Sequence, residues 1–405
     1  MTQTGAVGAR GGLSGGTAPG GPGNAPYKVM VVDDSAVVRG LVSRFLQEDP
    51  ELEVAASAGN GQRAIEQLQR IPVDVIVLDI EMPVMDGMTA LPKLLEVQPG
   101  VQIVMASTLT RANADVSLKA MAAGAADYLP KPTTSGGLSG TGEYQRELRA
   151  KVKALAQAHR RTAGPRPGTS SAGAATAAAA ARPAAQRPAG TRPARPAPDD
   201  APVSLRAMPT LRPEAIAIGS STGGPQALFK VLRALGPTDQ PILVTQHMPG
   251  TFTTLLADHI SRQTGHTCSE AKDGEPLKGR HVYVAPGGKH LVARREGAAG
   301  QVVLRLDDGE PENFCKPSVD PMLRSLSKIY GSKLLTVILT GMGSDGLRGA
   351  EVAVAAGGHV FAQDEATSVV WGMPRAVAKA GLCSAVLPLD DIAPAVRKLL
   401  VRTAA

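Results

Sequence analysis

Acidic residues near the start of the chain form the first group that could carry chemistry. Asp33 and Asp34 follow the apolar run VMVV, and Asp79 follows VIVL. Carboxylates that converge on one place repel each other unless a hard cation such as Mg²⁺ lies among them, and an Asp held there can attack a phosphoryl group. Ser107 and Lys131, further along the chain, could pair with the oxygens of the new phosphate. This group predicts a phosphorylation site.

A serine with a base and an orienting acid forms the second group. Ser221 lies in GSSTG, which has the G-x-S-x-G spacing of a nucleophile elbow, where glycines permit a tight turn from strand to helix. His247 follows PILVTQ, and Asp345 lies in TGMGSDG, just after another apolar run. A histidine oriented by a carboxylate can take the proton of a serine hydroxyl. The three residues therefore predict a serine hydrolase.

The loop that carries Asp345 also fits a different function. Residues 341–346 have the GxGxxG spacing of a dinucleotide-binding turn, and Asp364 stands near the spacing expected for a ribose-binding acid. The motif comes late in its domain, however, and a nucleotide site would leave Ser221 and His247 without a role. We expect its glycines to let backbone N–H groups approach a developing oxyanion, and nucleotide binding remains the alternative.

The residues of each group can act together only if the fold brings the strand ends that carry them to one place. Between residues 27 and 158, short β-rich runs alternate with segments whose apolar residues recur every three to four positions, and the alternation resumes from Glu214. Strands that alternate with helices are typical of parallel sheets covered on both faces. The sequence therefore predicts two α/β domains: a parallel βα sheet over residues 26–158, and a second, doubly wound, Rossmann-like domain over residues 213–402.

Strand polarity then selects one base among the seven histidines. In open parallel sheets, functional residues lie at the carboxyl ends of the strands. His247 follows a predicted strand, as Ser221 and Asp345 do, whereas His281 and His359 precede their strands and should face the opposite edge.

The net charge of +7 is concentrated between the two predicted domains. Residues 160–212 contain nine arginines and two aspartates in a Pro- and Ala-rich stretch that lacks the apolar residues of a core. Residues 159–212 therefore predict a linker, and the Gly-rich residues 1–25 predict a disordered tail. A basic linker explains the charge without DNA, so we expect no nucleic-acid partner.

Other features indicate a cytoplasmic protein. No apolar run is long enough to cross a bilayer, and the N-terminus lacks the basic and apolar regions of a signal peptide, so we expect no membrane insertion. Three cysteines lie far apart and form no CxxC pair, and we expect free buried thiols in a reducing compartment. They are Cys268, Cys315 and Cys383.

The motifs VVDDS, VLDIEMPVMDG, MAST and YLPKP, in this order, resemble the response-regulator receiver family. The resemblance implies that Asp79 accepts the phosphoryl group. The implied Mg²⁺ ligands are Asp33, Asp34, Asp79 and the backbone carbonyl of Glu81. The implied phosphorylation switch consists of Ser107, Tyr128 and Lys131. A receiver acts through another domain, so the output must lie in the second one.

The motifs IGSSTGG, TQHMP, HVYVAPGGKH, KPSVDPML, ILTGMGSDG and VVWGMPRAV resemble the chemotaxis protein-glutamate methylesterase family over roughly residues 212–400. The resemblance implies a catalytic triad of Ser221, His247 and Asp345. It also implies that Thr222 and Met342 line the oxyanion region. Ser220 stands where the family leads us to expect alanine, and the TGG that follows Ser221 favours Ser221 as the nucleophile.

The same resemblance implies a function in chemotaxis adaptation. The expected reactions are hydrolysis of glutamate γ-methyl esters on chemoreceptors and deamidation of receptor glutamines, with no cofactor in the catalytic domain. The expected partners are methyl-accepting chemotaxis receptors and a chemotaxis histidine kinase as phosphodonor. Phosphorylation of Asp79 should uncover the serine edge. The alternatives are an unrelated receiver-gated serine esterase and a nucleotide-binding module.

Overall fold

The computed structural model describes residues 25–108, 110–131, 137–163, 203–298 and 300–401. Nearly all of the predicted N-terminal tail and most of the predicted linker lie outside these ranges. The elements of the first domain are β1 (Tyr27–Val32), α1 (Ala36–Gln47), β2 (Leu52–Ala58), α2 (Gly61–Leu68), β3 (Val75–Asp79), α3 (Gly87–Val97), β4 (Gln102–Ser107), α4 (Arg111–Ala122), β5 (Asp127–Pro130) and α5 (Gly137–Ala163).

The first domain is built on a five-stranded parallel sheet in the order β2-β1-β3-β4-β5. Alternate side chains of each strand enter different cores: Val29 and Val31 pack with α1 and α5, whereas Met30 and Val32 pack with α2, α3 and α4. Both faces are covered, which explains why the central strand β3 consists of buried residues throughout. The order reverses between β1 and β3, so Asp33 and Asp79 meet at the switch point.

The second domain contains a seven-stranded parallel sheet and a separate antiparallel hairpin. Its elements are β6 (Ala215–Ser220), α6 (Gly224–Leu235), β7 (Ile242–Gln246), α7 (Gly250–Thr264), β8 (Cys268–Glu270), β9 (Val282–Val284), β10 (His290–Glu296), β11 (Gln301–Asp307), α8 (Val319–Tyr330), β12 (Leu334–Ile338), α9 (Leu347–Ala355), β13 (His359–Gln363), α10 (Met373–Lys379), β14 (Ala385–Leu387) and α11 (Leu389–Leu400).

The large sheet has the order β14-β13-β12-β6-β7-β9-β8. Helices α6, α7 and α11 pack on one face, and α8, α9 and α10 pack on the other. This confirms the predicted doubly wound α/β fold. Strand β11 belongs to the β10–β11 hairpin and not to the main sheet.

In the structure, the two domains extend into both ends of the predicted linker, residues 159–212. Helix α5 continues to Ala163, and Arg160 near its end forms an ion pair with the buried Asp74. At the other end, Val203 packs against the core of the second domain, and the backbone N–H of Arg206 donates to the carbonyl of Cys383. These tertiary contacts fix segments whose composition alone predicts no order.

The two domains pack against each other through α4 and β5 of the first domain and α6 and α7 of the second. The ring of Tyr128 in β5 stacks on the ring of Phe252 in α7, with centroids 4.2 Å apart. His259 in α7 pairs with Asp115 in α4 at 2.8 Å. Within the described ranges, no helix combines the length and the apolar character needed to cross a bilayer.

Candidate active site and phosphorylation site

Strand order brings three predicted catalytic residues to one place. Strand β6 lies between β7 and β12 in the large sheet, and all three strands run parallel. Ser221 follows β6, His247 follows β7, and Asp345 lies in the loop between β12 and α9. The three residues therefore share the carboxyl edge of the sheet, at the point where the chain order reverses, which is the usual position of a site in an open α/β sheet.

Close packing explains the glycines around Ser221. Gly223 has φ +75°, in the left-handed region that favours glycine, and it is the N-cap of α6. A Cβ atom on Gly341 would lie 2.9 Å from the Cβ of Ser221. The first glycine of the GMG sequence thus lets the loop after β12 approach the serine turn.

The two adjacent serines, Ser220 and Ser221, lie in different environments. Ser220 is fully buried, and its hydroxyl donates to Oε1 of Gln246 at 2.7 Å. Gln246 in turn donates to the carbonyl of Ser221 at 2.9 Å. Ser221 itself is half-buried. Ser220 and Gln246 therefore support the turn, and Ser221 is the more accessible of the two serines.

His247 and Asp345 form a close pair. Nε2 of His247 lies 2.7 Å from Oδ2 of Asp345. Asp345 is 1% exposed, and its carboxylate also accepts from the hydroxyl of Ser318 at 2.6 Å and the backbone N–H of Val319 at 2.6 Å. Burial raises the pKa of Asp345, but the hydrogen bonds from His247, Ser318 and Val319 outweigh it and lower that pKa to about 2. The carboxylate is ionised and can orient the imidazole.

The other nitrogen of His247 has an unexpected partner. Nδ1 lies 3.3 Å from Sγ of Cys315, and in the described part of the chain no hydrogen bond joins His247 to Ser221. Burial lowers the pKa of His247, but Asp345 and Cys315 outweigh that effect and raise it above the ordinary value. The structure thus joins His247 and Asp345 directly, and it places Ser221 at the adjacent strand end without a bond to His247.

The cysteines differ from the predicted buried thiols. All three are free, but only Cys383 is fully buried, whereas Cys268 and Cys315 are partly accessible. Cys315 lies directly before the KPSVD segment. That position was the available sign that it belongs to the site.

The two residues predicted to line the oxyanion region contact the first domain. The hydroxyl of Thr222 donates to Oδ2 of Asp127 in β5 at 2.7 Å. Met342 is partly buried against the core that contains α1 and α5. Among the residues that the structure describes, neither the backbone N–H of Thr222 nor that of Met342 donates to a protein acceptor, so both remain available to a ligand.

The nucleotide alternative assigns Asp364 to a ribose, and the structure gives both Asp364 and the Asp345 of the GxGxxG loop other partners. Asp345 is occupied by His247 and by the segment that begins α8. Oδ1 of Asp364 accepts from the backbone N–H of Thr367 at 3.0 Å and from its hydroxyl at 2.6 Å, in a local turn. The GxGxxG loop therefore serves the serine site.

The predicted acid pocket is assembled in the first domain. Carboxylate oxygens of Asp33, Asp34 and Asp79 all lie within 4.8 Å of one another. Nζ of Lys131 lies 2.8 Å from Asp33 and 2.7 Å from Asp79. Burial raises the pKa of Asp79, against the opposing effect of Lys131. Three carboxylate ligands in a half-open pocket fit Mg²⁺, which prefers oxygen ligands. Glu81 follows in the exposed loop after β3.

The other predicted switch residues lie between the acid pocket and the domain interface. The Ser107 hydroxyl is buried and lies 3.1 Å from the hydroxyl of Ser117 in α4. Tyr128 is 4% exposed because its ring stacks on Phe252 in the second domain. A movement of either residue would therefore alter the surface on which the second domain rests.

Comparisons with known proteins show the family of each domain. A family model for the response regulator receiver domain matches residues 29–140, and one for the CheB methylesterase matches residues 216–396. A protein-glutamate methylesterase/protein-glutamine glutaminase from Rhodospirillum centenum is 57% identical over 95% of this chain and 96% of its own length. One from Paramagnetospirillum magneticum is 54% identical over 94% and 98%. The crystal structure of the Thermotoga maritima CheB methylesterase catalytic domain is 40% identical, with a TM-score of 0.44, and covers 47% of this chain and 100% of its own.

Proposed function

The chain belongs to the CheB methylesterase family, and on that premise we propose that it hydrolyses glutamate γ-methyl esters on chemotaxis receptors and deamidates receptor glutamines, under control of phosphorylation at Asp79. Relatives that are named for both reactions match nearly its whole length. The observation that carries the proposal is the meeting of Ser221, His247 and Asp345 at the ends of three adjacent parallel strands.

The proposed mechanism begins at His247. Since its Nε2 is bonded to Asp345, Nδ1 is the nitrogen that takes the proton of the Ser221 hydroxyl. The serine oxygen attacks the ester carbonyl, and the ionised Asp345 stabilises the imidazolium that forms. The imidazolium then protonates the departing methanol. Water attacks the acyl-serine with help from the same base, which releases the glutamate carboxyl group and restores Ser221.

The backbone N–H groups of Thr222 and Met342 are the proposed donors to the oxyanion. Each is without a protein acceptor in the described residues. Donors fixed before the reaction stabilise the tetrahedral intermediate because they need no reorganisation, and one such donor can contribute about 10²–10³-fold in rate. The same donors serve glutamine deamidation, in which ammonia leaves instead of methanol.

In the first domain, Asp33, Asp34 and Asp79 would hold Mg²⁺, which would neutralise charge on the transferred phosphoryl group. Asp79 supplies the nucleophilic carboxylate, and Lys131 pairs with the new phosphate oxygens. The phosphodonor that we propose is a chemotaxis histidine kinase.

Regulation is proposed to act by occlusion. Asp127 and Tyr128 in β5 contact Thr222 and Phe252 of the catalytic domain, so the receiver lies against the edge of the sheet that carries Ser221. Phosphorylation shifts the population toward an undocked receiver. A coupling of this kind is typically about 1–3 kcal/mol, or about 5–150-fold.

Methanol release from methylated receptor membranes tests the proposal. The full chain should release methanol faster with a phosphodonor and Mg²⁺ than without them, and a chain that begins near residue 203 should not need the phosphodonor. If receptor membranes yield no methanol while a simple methyl ester is hydrolysed, the protein is a receiver-gated esterase with a different substrate. A truncated chain slower than the unphosphorylated full chain would reject occlusion.

A further inference from the structure

A two-residue turn beside the active site has an unusual backbone. Glu312 and Cys315 exchange backbone hydrogen bonds of 3.2 and 2.9 Å. The two residues between them, Asn313 and Phe314, have φ of 52° and 62°. This is the pattern of a type I′ turn, in which asparagine is common but a bulky side chain is rare. The conformation of Phe314 therefore depends on the contacts that hold the turn, which we call the 312–315 turn.

One end of the 312–315 turn is anchored to the catalytic acid. Nδ2 of Asn313 donates to Oδ1 of Asp345 at 3.0 Å and to Oδ2 of Asp320 at 2.9 Å. Both carboxylates are buried. Burial and the nearby charge of Asp345 raise the pKa of Asp320. A single amide thus links two buried acidic groups, so the turn and the acid must move together.

Cys315, at the end of the turn, contacts the proposed catalytic base, His247. Sγ of Cys315 lies 3.3 Å from Nδ1 of His247, while Nε2 is bonded to Asp345. Catalysis needs the neutral imidazole, and in the tautomer whose Nε2 proton is directed at the carboxylate, Nδ1 is an acceptor to which the thiol can donate. This nitrogen is the one that must take the proton of Ser221. The thiol and the serine hydroxyl therefore compete for one lone pair.

The tip of the turn contacts the receiver domain. Phe314 is 82% exposed, and the guanidinium carbon of Arg146 in α5 lies 4.8 Å from the centroid of its ring. That distance is within the range of a cation–π interaction. Helix α5 can therefore hold the 312–315 turn only while the receiver is docked.

We propose that Cys315 is a positioning residue that caps Nδ1 of His247 while the receiver is docked, and that the contact between Phe314 and Arg146 keeps the cap in place. The inference rests on the proposed role of His247 as the base for Ser221. It adds to occlusion a second level of control, because the base itself is occupied even where Ser221 is accessible. Undocking frees the turn, and the serine hydroxyl replaces the thiol at Nδ1.

The test is the rate at which diisopropyl fluorophosphate labels Ser221 in the full chain without phosphodonor. Ser221 is half-buried, so a small probe can reach it, and labelling needs an available base but no receptor. Cys315→Ala should label about two- to tenfold faster, the factor that corresponds to one neutral hydrogen bond of ordinary strength. Cys315→Ser retains a donor on the same Cβ atom and should label close to the parent rate.

The proposed contact between the receiver and Phe314 is tested by a matched pair of substitutions in α5. Arg146→Ala removes the contact with Phe314 and should accelerate labelling, whereas Arg149→Ala removes only an ion pair with Glu48 inside the receiver and should not. In histidine-labelled protein, the ¹⁵N resonance of His247 Nδ1 should shift in Cys315→Ala but not in Arg149→Ala.

The proposal is overturned if Cys315→Ala labels no faster than the parent, or if Arg146→Ala behaves like Arg149→Ala. A failure of this proposal can be distinguished from a failure of the proposed function. If labelling responds as expected while receptor membranes yield no methanol, the cap stands and the assigned substrate is wrong.

Discussion

Gln226 in α6 is the residue whose replacement should most directly weaken the docked receiver. Its Nε2 donates to the carbonyl of Met121 in α4 at 3.0 Å and to the carbonyl of Ala125, which precedes β5. Its Oε1 is buried without a hydrogen-bond partner among the described residues. Gln226→Ala removes both bonds across the domain interface together with the unpaired oxygen. Alanine also suits a helix interior, so the catalytic domain should keep its stability.

The expected magnitude follows from the two lost bonds. Each neutral hydrogen bond contributes about 0.5–1.5 kcal/mol, so two contribute about 1–3 kcal/mol. At about 1.4 kcal/mol per tenfold change, the docked population should fall about 5–150-fold relative to the undocked one. This range equals the typical coupling free energy of a regulatory domain. We therefore expect Gln226→Ala to raise the unphosphorylated rate strongly and to lose most of the stimulation by phosphodonor.

The assay is methanol release from methylated receptor membranes, with and without acetyl phosphate and Mg²⁺. Lys230→Ala is the control, since Lys230 lies one turn further along α6 and pairs with Asp390 inside the catalytic domain. It should behave like the parent. If Gln226→Ala keeps both the low basal rate and the full stimulation, the bonds of Gln226 do not hold the receiver in place, and the magnitude derived from them is refuted.

Three further predictions concern the two sites. Ser221→Ala should abolish methanol release, with a loss in turnover on the order of 10⁶. Ser220→Ala should retain most of the activity, because the Ser220 hydroxyl only supports the turn. The reverse result would reassign the nucleophile. Asp345→Asn should reduce turnover by on the order of 10⁴. Because Asp345 raises the pKa of His247 and catalysis needs the neutral imidazole, the acid limb of the pH–rate profile should also move to lower pH in Asp345→Asn, and an unmoved limb would contradict the pairing. Asp79→Ala should keep the basal rate and lose the response to acetyl phosphate, and a retained response would place the phosphorylation elsewhere.

Much of the site could be predicted from local sequence. Polar residues that directly follow apolar strands, such as Asp33, Asp79 and His247, are recognisable because strand direction and side-chain alternation are local properties. The same polarity separated His247 from His281 and His359, which lie at the opposite ends of their strands. The fold class followed from alternating periodicities for the same reason.

Spatial relations between distant segments were decided only by the tertiary structure. That β6 lies between β7 and β12 depends on how the crossover connections are wound, and no local pattern encodes it. The thiol of Cys315 on His247, the bond from Thr222 to Asp127 and the inward turn of Ser220 toward Gln246 join residues from 26 to 95 positions apart. The sequence by itself determined which side chains stand at strand ends, because that depends on neighbours along the chain. Which of them touch, and which face of the receiver covers them, was determined by packing, because non-local contacts form wherever complementary surfaces can be buried together.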